Sequence, residues 1–344
     1  MLFRSLRCLG LDYQGWVYLN GTLVEGQNVI TSGIGVDTNL LDGSGLATVG
    51  FVTTQPFNDV RIRYTTLVGA LFSGTVYYPV IERFCSGTAL GCNTETPLSQ
   101  PAYPVTVPNT LTGISGLACV GCTISNTDNL MSASTSDYAT INMAVGVGST
   151  ASIAVRDQLT TYPAGTLTGF DIERPNLVNA NVLAGVTLKT YLNGSLQETT
   201  SAGTLLSVNS TLLTGSAAQQ VSFLTTLPFD TVQLQMTGLA DAISTTRVYH
   251  AIVERFCTGP TLNCNTQTPI LPTNYPVIVN GPHTGLSTGV CVGCGVLNAQ
   301  NVLTTSTADY ADIVLTAGVL TSGSVSVKDV LTPYAAGTFA GFII

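Results

Sequence analysis

Val80-Ile81-Glu82-Arg83-Phe84-Cys85 returns as Ile252-Val253-Glu254-Arg255-Phe256-Cys257, 172 residues later (257 − 85). The offset holds well beyond this motif. Tyr103-Pro104-Val105 maps to Tyr275-Pro276-Val277, and Cys119-Val120-Gly121-Cys122 maps to Cys291-Val292-Gly293-Cys294. Upstream, Phe51-Val52-Thr53-Thr54 maps to Phe223-Leu224-Thr225-Thr226. Tyr18-Leu19-Asn20-Gly21 maps to Tyr191-Leu192-Asn193-Gly194 with one residue gained or lost between. A fixed period decides architecture before any local pattern does. This period is domain-sized, so it implies tandem domains and not a solenoid of small units.

Between turn signals the segments are short and rich in alternating Val, Ile, Thr, Tyr and Phe, which is the strand signature. In the best-covered copy, strands are predicted near Asp137–Ala144, Ala151–Asp157, Gly165–Glu173, Val182–Leu192, Ser195–Thr200, Val221–Thr225, Thr231–Thr237 and Thr245–Phe256. Asn193-Gly194 and Asn20-Gly21 are type I′ hairpin signals, because both central residues of that turn need positive φ. Leu205–Leu213 is ambiguous between strand and a short helical turn, and no stretch supports a long amphipathic helix. The expected fold is all-β: tandem jelly-roll-like β-sandwich domains joined by disulfide-bearing extended linkers. Residues 123–256 make a complete sandwich. Residues 1–84 hold only later strands, 295–344 only the first ones (Asp309–Leu315, Ser324–Asp329, Gly337–Ile344), and 85–122 and 257–294 are Pro/Thr/Asn/Gly-rich linkers. Residues 1–8 carry basic residues with no apolar core behind them and match nothing before Tyr191, so the natural chain is expected to start elsewhere.

Only 9% of the 344 residues are charged, against roughly 25% in ordinary soluble domains. Lys189 and Lys328 are the only lysines, and the net charge is −8. Such a chain is a poor ligand for nucleic acid, which demands clustered Lys and Arg, and for anionic membrane surfaces. No apolar run approaches the ~18–20 residues of a spanning helix, and a membrane barrel would repeat by hairpin and not by domain. No membrane insertion is expected.

Eight of the nine cysteines form two equivalent sets: Cys85, Cys92, Cys119, Cys122 and Cys257, Cys264, Cys291, Cys294. Three chemistries suit four cysteines with a CxxC: disulfides, a zinc site, or a redox pair. No histidine accompanies them and no helix lowers a thiol pKa, which favours disulfides made in an oxidising compartment. Four cysteines allow three pairings, and short spacing favours Cys85–Cys92 with Cys119–Cys122. No metal or cofactor is expected.

Asp137 and Asp309 each precede a Tyr at the start of a strand, where they serve a turn or a loop site for calcium or sugar. Asp230-Thr231-Val232 matches a bacterial O-glycosylation pattern at Thr231. Catalysis has little to use. His250 and His283 are the only histidines, their counterparts are Tyr78 and Leu111, and no nucleophile elbow, HExxH or P-loop is present. No enzymatic activity is expected.

The combined motif set is Glu-Arg-Phe-Cys at a domain end, Cys-Val-Gly-Cys at the next start, then Ser-Thr-x-Asp-Tyr-Ala, Val-Arg/Lys-Asp, Tyr-x-Ala-Gly-Thr and Gly-Phe. It resembles the repeats of very large surface proteins of Bacteroidota exported by the type IX system. That resemblance implies an extracellular adhesin or filament module on the cell surface, with copies of itself head to tail as partners and surface glycans as possible ligands. Asn129–Ile141 also resembles the loop that opens discoidin-like, galactose-binding-fold domains, without their Ala-Ile-Asp-Gly. A carbohydrate-binding β-sandwich module is therefore the alternative function. The chain is further expected to be cut from a longer repeat, its last strands completing the first half of the next copy, covalently or by strand donation.

Overall fold

The structure, a computed structural model, describes residues 11–28, 50–66, 75–116, 121–143, 148–173, 185–201, 205–209, 218–237, 244–286, 290–319 and 321–344. Leu11–Leu19 (β1), Thr22–Asn28 (β2) and Asp59–Thr66 (β3) form an antiparallel sheet of order β2-β1-β3. The complete sandwich follows. Its strands are Thr94–Leu98 (β4), Val105–Thr106 (β5), Gly113–Gly116 (β6), Thr123–Ser125 (β7), Ala139–Met143 (β8), Ser149–Asp157 (β9), Leu167–Glu173 (β10), Val186–Leu192 (β11), Ser195–Ser201 (β12), Leu206–Asn209 (β13), Ala218–Leu224 (β14), Thr231–Thr237 (β15) and Ser244–Arg255 (β16). The last piece holds Val277–Val279 (β17), Gly285–Leu286 (β18), Val290–Val292 (β19), Gly295–Leu297 (β20), Asp312–Val314 (β21), Ala317–Val319 (β22), Gly323–Ser324 (β23) and Val327–Asp329 (β24).

The sandwich consists of two sheets. One has the order β13-β14-β10-β16-β8-β7 with β4 added on β16; the other runs β12-β11-β15-β9-β5 with β6 also on β9. Period-2 alternation sends one row of side chains between the sheets. Phe170, Ile172, Val221, Val248 and Val253 come from the first sheet and meet Ile153, Val155, Leu188, Leu234 and Met236 from the second. Gly169 sits where β14 crosses closest: a Cβ there would collide with the carbonyl oxygen of Val221. This accounts for the Gly of the Gly-Phe motif, while Phe170 beside it fills the core. Both hairpin turns take the expected conformation, with φ of 51° and 83° at Asn20-Gly21 and 50° and 79° at Asn193-Gly194. Leu206–Asn209 is strand, pairing β14, and Leu205 before it is buried in the core; residues 210–213 of the ambiguous Leu205–Leu213 stretch lie outside the described residues.

Two expectations about domain limits need correction. Residues 85–122 are not simply a linker. β4 pairs β16, β5 and β6 pair β9, and Leu98, Tyr103, Val105 and Val107 are core residues. The sandwich thus begins near residue 92 and not at 123. Of the Tyr103-Pro104-Val105 segment, expected to be extended, only Val105 is in a strand, at the start of edge strand β5; the Tyr103 N–H turns back to the Ser99 carbonyl at 2.9 Å. Residues 257–294 are likewise not simply a linker, since their strands β17, β18 and β19 pair β24, β23 and β22. Gly337–Ile344, expected as a strand, carries no ladder, and Gly337 sits in a turn with φ 87°.

The flanking pieces repeat the sandwich in register. The β2-β1-β3 order copies β12-β11-β15, and the bulge between Val17 and Tyr18 copies the one between Thr190 and Tyr191. Val277 opposite Asp329 copies Val105 opposite Asp157, and Gly295 opposite Val314 copies Thr123 opposite Asn142. Local sequence is therefore sufficient to set these pairings even where half of a sandwich is present.

Candidate assembly site

A disulfide closes the sandwich on itself. Cys92, just before β4, bonds Cys257, just after β16, across a sequence separation of 165 with 5.3 Å between Cα atoms. A left-handed turn at Asn93 (φ 51°) brings them together. Its N–H donates to the Arg255 carbonyl at 2.7 Å, its Oδ1 accepts from the Cys257 N–H at 2.9 Å, and Thr94 Oγ1 donates to the Cys92 carbonyl at 3.0 Å. The expected local pair Cys85–Cys92 is overturned. The end of β16 delivers Cys257 to Cys92, and Cys85 and Cys264 are exposed free thiols. Cys122 and Cys294 are disulfide-bonded; Cys119 and the side chain of Cys291 lie outside the described residues.

The flanking pieces expose what the sandwich buries. Tyr77 and Ile81 are 69% and 75% exposed, and Phe339 is 81% exposed. Their counterparts one period away are Tyr249, Val253 and Leu167, all buried in the β16–β10 pair. Apolar strand segments left open in this way are templates for pairing with another chain.

The outer face of the β10–β16 pair carries Asp171, His250 and Glu254. His250 Nε2 lies 3.1 Å from Asp171 Oδ2, with exposures of 2% and 0%. The contact is close enough for an ion pair, yet its angles do not make a hydrogen bond, so we read it as proximity without directed bonding. Burial pushes the Glu254 carboxyl up to about 7. Leu167, Leu224 and Phe256 on this face pack against Ile278 and Val330 of the following piece. Glu254, opposite Leu167 on the paired strand, lies beside this contact, and all three polar side chains are buried.

No protein-family model matches the chain, and no curated protein matches it. Solved structures similar to part of it are carbohydrate-binding modules. A family 29 module aligns with a TM-score of 0.24 and 16% identity over 47% of this chain and 90% of its own. A variant of a family 29 module complexed with cellulohexaose gives 0.24 and 17% over 47% and 92%. The family 32 module of C. perfringens NanJ, in complex with galactose, gives 0.26 and 9% over 46% and 98%. Likeness of this size carries no inference about ligand or role; the β-sandwich stands on the strand pairing above.

The remaining sequence-predicted positions resolve into turn chemistry. Ser132 Oγ donates to Asp137 Oδ2 at 2.8 Å, and Asn129 Nδ2 donates to the Tyr138 carbonyl at 3.0 Å. Around Asp309, Asn301 Nδ2 repeats the second bond to the Tyr310 carbonyl at 3.2 Å. Among the described residues, no three Cys, His, Asp or Glu side chains gather as metal ligands. Thr231 is 1% exposed at the head of β15, and its Oγ1 donates to Asp230 Oδ1 at 2.6 Å. A glycan has no room there, so the glycosylation expectation is corrected: the Asp-Thr pair serves a buried strand start. Asp230 Oδ2 also accepts the Asn193 N–H of the hairpin and pairs Arg156 at 3.2 Å.

Sequence reasoning missed the role of Val-Arg/Lys-Asp with its Tyr. Asp157 Oδ1 accepts the N–H groups of Leu159 and Thr160, and Oδ2 accepts the Tyr162 hydroxyl at 2.9 Å. Asp329 does the same for Leu331, Thr332 and Tyr334. The signal was present as an Asp and a Tyr five residues apart in both copies.

Proposed function

We propose that this chain is a structural, non-catalytic repeat module of an extracellular bacterial surface adhesin or filament, of the kind exported by the type IX system. Neighbouring copies complete one sandwich between them, head to tail. The observation that carries this is the exposure of segments 76–83 and 339–344, one-period counterparts of β16 and β10, which pair in the complete sandwich. Carrying that register over sets Phe339 opposite Glu82 and Gly341 opposite Val80. In the second sheet it sets Lys328 opposite Asp59 and Val325 opposite Ile62, from the β9–β15 register. Lys328 against Asp59 is an opposite-charge cross-strand pair, which favours this register over slipped ones. The disulfides favour an oxidising, extracytoplasmic setting. Surface glycans are the proposed partners of the assembled shaft, and retention on glycan-coated beads tests them. Solution scattering at rising concentration tests assembly: growing rod-like length supports it, and a constant compact monomer contradicts it. A head-to-tail contact leaves the same surfaces open at each end, so growth does not stop at a dimer unless rotation closes a ring.

A further inference from the structure

We propose that Cys264 of one copy and Cys85 of the next form a disulfide that locks each head-to-tail junction covalently, in the way that Cys92–Cys257 locks the complete sandwich. This rests on the assembly proposed above. Cys264 is the one-period counterpart of Cys92, and Cys85 is the counterpart of Cys257. The two counterparts are bonded, whereas Cys85 and Cys264 are free and exposed.

The receiving turn is already formed. Asn265 holds φ at 55°, as Asn93 holds it at 51°. A non-glycine residue with positive φ is uncommon, and here it is kept before any partner arrives. Thr266 Oγ1 donates to the Cys264 carbonyl at 3.2 Å, reproducing the bond of Thr94 to Cys92. The free Asn265 turn thus presents the N–H and side-chain oxygen that, at Asn93, engage the Arg255 carbonyl and the Cys257 N–H. Their counterparts on the incoming copy are the Arg83 carbonyl and the Cys85 N–H. Strand pairing of 339–344 with 76–83 brings Cys85 to that turn just as β16 brings Cys257 to Cys92.

The chemistry is thiol–disulfide exchange. A small-molecule disulfide such as oxidised glutathione accepts two electrons and two protons and leaves as two thiols. The Cys85 and Cys264 sulfurs lose their protons and form one S–S bond through a mixed disulfide. The bridge makes a reversible strand contact permanent in an oxidising medium and releasable by reductant.

The test uses the full chain incubated with a glutathione redox buffer, followed by non-reducing gels and peptide mapping. The expected result is a ladder of covalent multimers in which the Cys85 peptide is joined to the Cys264 peptide. Cys85→Ser and Cys264→Ser alone each abolish the ladder. Mixed together they restore a single covalent dimer and nothing longer, because each supplies one half of one junction. Light scattering on the same samples separates the two ideas. Concentration-dependent growth without the Cys85–Cys264 peptide overturns the bridge and leaves the assembly standing. Absence of growth and of bridging overturns both. Cys85–Cys85 or Cys264–Cys264 peptides, or a Cys85–Cys264 bridge confined to the monomer band, overturn the head-to-tail bridge.

Discussion

Removing the Cys92–Cys257 bridge should destabilise the sandwich by several kcal/mol while leaving its fold intact. The bridge closes a loop of 165 residues. The chain-entropy relation gives about 5 kcal/mol for a loop of that length at 25 °C, and measured bridges usually contribute about 2–4 kcal/mol. For a domain of this size each kcal/mol moves Tm by about 2–4 °C. The expected loss is therefore about 5–15 °C. The comparison is made in a Cys85→Ser, Cys264→Ser background, so that neither shuffling at those thiols nor covalent bridging between copies intrudes, with Cys92→Ser and Cys257→Ser added together. Changing both partners matters, because one orphaned thiol is free to pair wrongly. Differential scanning calorimetry at low protein concentration reads the shift, and far-UV circular dichroism checks that the strands persist. The Asn93 hydrogen bonds to Arg255 and Cys257 remain in the variant, so the ends of the sandwich still meet in the native state. A Tm loss below about 2 °C, with the bridge shown to be present in the parent, would refute the reasoning that it restrains the unfolded chain.

Glu254 predicts a pH dependence. Its folded pKa of about 7 lies above the ordinary 4.5 because burial disfavours the charge, so the folded protein keeps a proton that the unfolded chain releases. That stabilisation is fully present below about pH 4.5 and is lost as pH rises through about 7. Glu254→Gln should flatten the slope and be more stable than the parent at pH 8 by roughly 3 kcal/mol; equal slopes in urea melts at pH 4.5 and 8 would count against it. Phe170→Ala, in the packed core, should cost about 3–5 kcal/mol in urea melts, whereas Phe342→Ala, its exposed counterpart, should cost under ~0.5 kcal/mol in the monomer and weaken assembly instead. Equal costs for the two Phe variants would contradict the idea that one site awaits a partner. Finally, a panel of glycan and peptide substrates should show no turnover; activity lost on His250→Asn would overturn the non-catalytic proposal.

Much of the fold was legible because local pattern and global pairing agree. Thr231–Thr237 reads as a strand and is one, since Val232, Leu234 and Met236 alternate into the core. Asn193-Gly194 dictates its hairpin by backbone sterics alone. The role of residues 85–122 was not legible, because Pro, Thr and Asn also furnish edge strands, and only the tertiary partners β9 and β16 distinguish an edge strand from a linker. Cysteine pairing failed for the same reason. Cys85 and Cys92 are near in sequence, but the sandwich topology places Cys257 beside Cys92. The repeat itself held the better clue, because a unit that runs from Cys92 to Cys257 has one cysteine at each end. The polar cluster of Asp171, His250 and Glu254 was hidden because its members lie on β10 and β16, far apart in sequence, and only the pairing of those strands brings them together.

The claim at the centre of this account is that two copies complete one sandwich. Electron microscopy of the purified chain, concentrated under oxidising conditions, tests it most directly. The account predicts unbranched fibres of beads about 40–60 Å apart, two beads per chain, each bead one sandwich. Separate compact particles at every concentration, with segments 76–83 and 339–344 joined inside one molecule, would contradict it.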